Sequence, residues 1–199
     1  MSKQFKKIVT CKDQLSETMV GGKFKKQEVM YKQKLPVPKF FCLTSSYYEE
    51  KVTPFKNKIS SIIHSIDYKD RKSVAKASNK IAQIFKQITF TESEKKEILK
   101  YYDKLFSTGP YVSVRASMIG YLPGESEDSI DNPFAGISES FLYITKAQLF
   151  DVIKECWASG YLEKAILYRS NQGMDPQAFA VCVGIQQMVF GKRSFVMFT

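Results

Sequence analysis

An α+β fold is what this sequence predicts, and three observations carry the prediction. Apolar residues recur at helical spacing through a central block, about 45–108. The flanking parts, about 1–44 and 109–199, hold short apolar runs of strand character. Strands and helices do not alternate regularly, as a parallel βαβ sheet demands, so a mixed or antiparallel sheet with an inserted helical block is expected. The 199 residues, 44% hydrophobic and 25% charged, have globular composition and enough length to bury a core. A single domain spanning 1–199 is expected.

Taken in order, residues 1–34 read as short polar and apolar pieces broken at Gly21-Gly22. Pro36 and Pro38 forbid helix, and the apolar Phe40-Phe41-Cys42-Leu43 after them reads as a short strand. Thr44 is placed to cap a helix through Tyr47 and Tyr48. Val74, Ala77, Ile81, Ile84, Phe85 and Ile88, three and four apart, form one apolar stripe on a lysine-rich helix. Thr91 and Glu94 make a capping box for the next helix, which carries Ile98, Tyr102 and Phe106. Gly109-Pro110 closes the block.

Beyond it, Tyr111 to Ala116 alternates with period two, which puts Val112 and Val114 on the buried side and Arg115 on the other. The Gly-, Pro- and acid-rich stretch 120–133 reads as a loop, mobile without ligand. Phe141 to Ile144 is a strand candidate, and Thr145 with Gln148 makes a second capping box, opening a helix with Leu149, Val152, Ile153, Cys156 and Trp157 inward. A helix at about 162–169 follows the Ser159-Gly160 break. Residues 179–189 form a long apolar strand interrupted by Gln186 and Gln187, and 194–199 a last strand.

The net charge of +10 is unevenly spread: residues 1–110 hold 23 basic and 11 acidic side chains, residues 111–199 hold 7 and 9. No nucleic-acid-binding motif accompanies the lysines, which read as solvated helix faces. No apolar stretch resembles a secretion signal or reaches the roughly 20 residues of a membrane span. Cys11, Cys42, Cys156 and Cys182 are scattered, without a C-x-x-C pair, and with His64 alone they offer no zinc spacing. A cytoplasmic chain with reduced thiols is expected.

Three features stand out chemically. Paired glycines before Lys23 allow close backbone approach to a ligand, and the lysine can pair with phosphate; a turn with a surface lysine is the plainer reading. Arg115, inside an apolar-flanked strand, needs an anion, a cleft, an internal ion pair or an exposed sheet face. Phe134-Ala135-Gly136 ends the acidic loop, where small residues can fold over a phosphate tail or simply turn the chain.

In order, Gly21-Gly22-Lys23, Val37-Pro38, Val114-Arg115-Ala116-Ser117, Phe134-Ala135-Gly136 with Phe141-Leu142, Tyr168-Arg169 and Gln186-Gln187-Met188-Val189 closely resemble one family. It is the ATP-grasp-like nucleotide-binding domain of pyruvate phosphate dikinase and phosphoenolpyruvate synthase, shared by rifampin phosphotransferases. Ala116, Met118-Ile119-Gly120 and Ile137-Ser138 depart from the family pattern. The resemblance implies that Gly22, Lys23 and Arg115 hold ATP phosphates, that Ala135 and Gly136 cover them, and that Gln187, Met188 and Val189 pass the adenine edge. Lys23 and Arg115 are then the catalytic pair, with charged ends within about 10–12 Å of each other. It also implies that the Mg²⁺ ligands, the second half of the ATP-grasp and a phosphohistidine domain lie outside this chain. The alternative is a non-catalytic nucleotide-binding or interaction module that works with a partner chain.

Overall fold

The computed structural model describes residues 6–106, 109–121 and 138–193. Its strands are β1 (Ile8–Thr10), β2 (Phe40–Leu43), β3 (Val112–Gly120), β4 (Ser140–Ile144) and β5 (Phe179–Gln187). Its helices are α1 (Glu17–Lys32), α2 (Ser45–Val52), α3 (Lys56–His64), α4 (Arg71–Lys86), α5 (Glu92–Leu105), α6 (Leu149–Ala158) and α7 (Glu163–Asn171). The strands make one sheet in the order β1-β2-β5-β3-β4, every neighbouring pair antiparallel. The mixed α+β expectation therefore resolves to an antiparallel sheet.

Register divides the sheet into two faces. Arg115 lies opposite Gly184 on one side and Ser140 on the other, and Gly184 opposite Cys42. Alternation then puts Ser113, Arg115 and Ser117 on one face, and Val112, Val114, Ala116 and Met118 on the other. On the second face β3 presents only apolar side chains, and this face meets the helical block. Trp157 of α6 packs edge-on against Tyr47 and Tyr48 of α2 and stacks on Phe90, while Phe41 of β2 stacks on Tyr101 of α5. Trp157 is completely buried, as the amphipathic pattern of α6 predicts.

Helix α1 covers part of the first face, and it is the element the sequence concealed. Its buried stripe is only Val20, Phe24 and Glu28 with Gly21 and Gly22, and an acid within that stripe hides the helical period. Glu28 is tolerated there because Lys25, at 2.8 Å, and Lys32 both pair with it. The expected break falls inside this helix: Gly21 has φ +74° and kinks it. A β-carbon at Gly21 would sit 2.2 Å from Ser117 Oγ, so only glycine lets α1 lie this close to β3.

The Thr91–Glu94 capping box forms reciprocally as predicted. Thr44 occupies the cap position of α2, but its hydroxyl bonds Lys6 O instead of a helix amide. At the second expected box, Gln148 accepts from the Thr145 amide and hydroxyl, yet α6 proper starts only at Leu149. The strand predicted from Tyr111 to Ala116 continues to Gly120, because its pairing with β5 runs unbroken to Phe179. The strand expected at 194–199 and nearly all of the 120–133 loop lie outside the described residues.

Candidate functional site

The kink at Gly21 restarts the helix at Gly22, placing Lys23 in the first turn of the second segment. A helix start carries amide N–H groups without intrahelical partners, and its dipole favours an anion. Gly22 itself is buried. Lys23 extends across to β3, where Nζ donates to Ala116 O at 2.8 Å and to Ser138 Oγ at 3.2 Å. Ala116 is the neighbour of Arg115, so the helix lysine and the strand arginine converge from 92 positions apart in sequence.

Arg115 is half-buried. Its Nε donates to Ser140 Oγ at 3.5 Å and its Nη1 to Gln186 Oε1 at 3.3 Å. Both cations therefore border the same short segment, Lys23 at Ser138 and Arg115 at Ser140. Among the described residues Arg115 is held by the Ser140 hydroxyl and the Gln186 amide, and no carboxylate pairs with it. The glutamine is itself oriented: Gln186 Nε2 donates to Gln27 Oε1 at 2.5 Å and to Pro38 O at 3.3 Å. Those two bonds spend the amide nitrogen and leave its oxygen directed at the guanidinium.

Sequence reasoning passed over Ser138, Ser140 and Gln186 as site residues. A signal existed for each. Ser140 opens β4 with Ser138 two residues before it, and Gln186 is a buried polar residue in a strand that is apolar up to it. Gln187 comes to the end of β5 opposite Val112, but its amide N–H already donates to Lys39 O at 2.9 Å. Met188 follows half-buried and Val189 is exposed. Ala135 and Gly136 lie outside the described residues.

The donor set here is ammonium, guanidinium, hydroxyl and amide, which is chemistry for an anion and not for a divalent cation. Among the described residues no group of three or more His, Cys, Asp or Glu side chains is placed to hold a metal. The four cysteines are free and buried, and burial pushes the Cys42 and Cys156 thiols up, away from the reactive thiolate. His64 lies exposed on α3 with Nδ1 2.8 Å from Ser60 O. No helix among the described residues is long and apolar enough to cross a membrane.

Over residues 17–199 the chain matches the family described as "Pyruvate phosphate dikinase, AMP/ATP-binding domain". It is 30% identical over 185 residues to a probable phosphoenolpyruvate synthase of Staphylothermus marinus, covering 91% of this chain and 22% of that protein. It is 29% identical over 194 residues to the rifampicin phosphotransferase of Bacillus subtilis, covering 94% and 21%. To the phosphoenolpyruvate synthase of Pyrococcus furiosus it is 28% identical over 220 residues, covering 91% and 26%. The chain thus spans between a fifth and about a quarter of the length of these relatives.

Proposed function

The chain belongs to the pyruvate phosphate dikinase AMP/ATP-binding domain family, and from that premise we propose that it is one ATP-grasp-like subdomain supplying the phosphate-binding face of a dikinase-type phosphotransferase. The parent reaction splits ATP to AMP and passes phosphoryl groups through a carrier histidine to an acceptor. The observation that carries this reading is the convergence of Lys23 and Arg115 on one face of the sheet, beside a kinked glycine.

Each residue has a definite task in this reading. Lys23 neutralises phosphate charge, and the amides of the restarted helix add donors beside it. Arg115 offers a planar fork that suits two phosphate oxygens, and Gln186 fixes its orientation. Ser138 and Ser140 contribute hydroxyls along the same segment. Such catalysis consists of positioning and electrostatic stabilisation of transferring phosphoryl groups. With the Gln187 amide N–H committed to Lys39, the Gln187 carbonyl and the backbone of Met188 and Val189 are what this segment offers the base edge. Mg²⁺, when bound, would supply further neutralisation of phosphate charge; its ligands, like the phosphohistidine domain, belong to the remainder of the parent protein or to a partner chain. Free, buried cysteines support a cytoplasmic setting.

Calorimetric titration with ATP tests the reading. Charge-assisted hydrogen bonds contribute about 1.5–3 kcal/mol each. Lys23→Ala and Arg115→Ala are therefore each expected to weaken ATP binding by about tenfold or more, with the fold intact by circular dichroism. Unchanged affinity in both variants would refute it.

A further inference from the structure

Beside the phosphate-binding face lies an aromatic group with no assigned role. Tyr111, Tyr143 and Phe190 are all exposed, at 39%, 57% and 64%, and Tyr143 touches each of the other two. The Tyr111 and Tyr143 rings meet edge to face at 6.0 Å, and the Tyr143 and Phe190 rings are also 6.0 Å apart. Isolated exposed aromatics need no explanation, but a contiguous trio does.

The backbone is distorted to present Tyr143. Val112 pairs with Ile144 and Val114 with Phe141, so Leu142 and Tyr143 together face the single residue Ser113. This is a β-bulge, which re-aims side chains at strand edges and sites. Tyr143 also has φ +59°, an outlying conformation for a bulky residue. A strained residue whose ring is left in solvent makes no contribution to the core.

Position identifies the occupant. Tyr111 directly precedes β3, and alternation sets it on the same face as Ser113 and Arg115. Arg115 lies four residue steps along the strand from Tyr111, about 13 Å, with Lys23 held one residue further along at Ala116. Along one face the order is thus aromatic rings, buried amide, guanidinium and ammonium. A nucleoside triphosphate has this order too: planar base, sugar, then phosphates, over a comparable reach.

We propose that Tyr111, Tyr143 and Phe190 form the stacking platform for the base of the nucleotide whose phosphates Lys23 and Arg115 hold, and that the platform selects purine over pyrimidine nucleotides. The proposal rests on the nucleotide-binding reading above. Stacking on aromatic rings favours the larger ring system while tolerating either purine.

The experiment compares ATP, GTP, CTP and inorganic tripolyphosphate by calorimetry on the chain. Tripolyphosphate has the charge without the base. ATP and GTP are expected to bind about tenfold or more tighter than CTP and tripolyphosphate. Tyr143→Ala should bring ATP close to tripolyphosphate and leave tripolyphosphate unchanged, whereas Tyr143→Phe should retain the preference. Phe190→Ala, at an exposed position, provides a second variant should Tyr143→Ala disturb the bulge. Lys23→Ala should weaken all four ligands together. If the ratio of ATP to tripolyphosphate affinity survives both alanine variants, the platform is refuted and the trio is a protein-contact surface. If none of the four ligands binds, the nucleotide reading itself falls and the platform with it.

Discussion

Lys51 and Glu94 show how a single ion pair ties two helices of the block together. Lys51 of α2 reaches Glu94 of α5 at 2.6 Å, with the two side chains only 13% and 19% exposed. Glu94 simultaneously closes the capping box by accepting from the Thr91 amide at 2.7 Å. Burial alone would raise this carboxyl, but the bonds from Lys51 and Thr91 outweigh it and hold Glu94 below its ordinary value of 4.5. The unfolded chain then binds the proton more readily than the folded one. The resulting stabilisation is complete above about pH 4.5 and is lost as pH falls through the lower folded value. Glu94→Gln is therefore expected to destabilise the chain by about 1–2 kcal/mol at pH 7, and the difference from the parent should shrink below pH 4. Urea denaturation at pH 7, 5 and 3.5 checks this. A pH-independent difference would show that the pair adds nothing beyond packing.

Among the elements, strands β2 to β5 and the helices of the block were legible because their signals are local, whereas the three-residue β1 (Ile8–Thr10) is too short to show a period. The stripe on α4, the capping box of α5 and the alternation of β3 are each written within one window of sequence. Helix α1 was not, since its burial comes from two long-range fits that no window contains. One is Gly21 against Ser117; the other is Gly184, where an added β-carbon would fall 1.9 Å from the Phe24 ring. The resemblance singles out Lys23 and Arg115, while the bonds that seat them depend on the register of β3 with β4 and β5. Arg115 owes its orientation to Gln186 and Ser140, which become its neighbours only once the sheet is assembled. The close approach of α1 can be probed directly. Gly21→Ala must adopt a left-handed conformation and push Ser117 aside, so a loss of about 1–3 kcal/mol is expected. Because the kink sets where Lys23 points, ATP affinity should fall as well. Thermal denaturation and titration on the same sample measure both, and a variant of parental stability would mean that α1 can shift without cost.

At the scale of the whole molecule, a phosphate-binding face is only part of a phosphoryl-transfer site. Transfer also requires a divalent metal held by carboxylates and a nucleophile in line with the bond that breaks. The described residues gather cations and hydroxyls at Lys23 and Arg115, without a cluster of acidic or histidine ligands. His64, the single histidine of the sequence, lies on the exposed side of α3 in the helical block, bonded within its own turn. A nucleotide on one sheet face also leaves its other side in water, where each charge contact is weakened by the high dielectric. The expected behaviour of this chain alone is weak ATP binding without turnover. Incubation with Mg²⁺ and ATP should release no AMP above the protein-free rate and should leave no phosphate on the protein. Adding the segments by which its relatives exceed it, in one polypeptide or as a second chain, should restore AMP release. Arg115→Ala should then abolish that activity. Sustained AMP formation by the 199-residue chain, lost in Arg115→Ala, would instead prove that one face suffices for the chemistry.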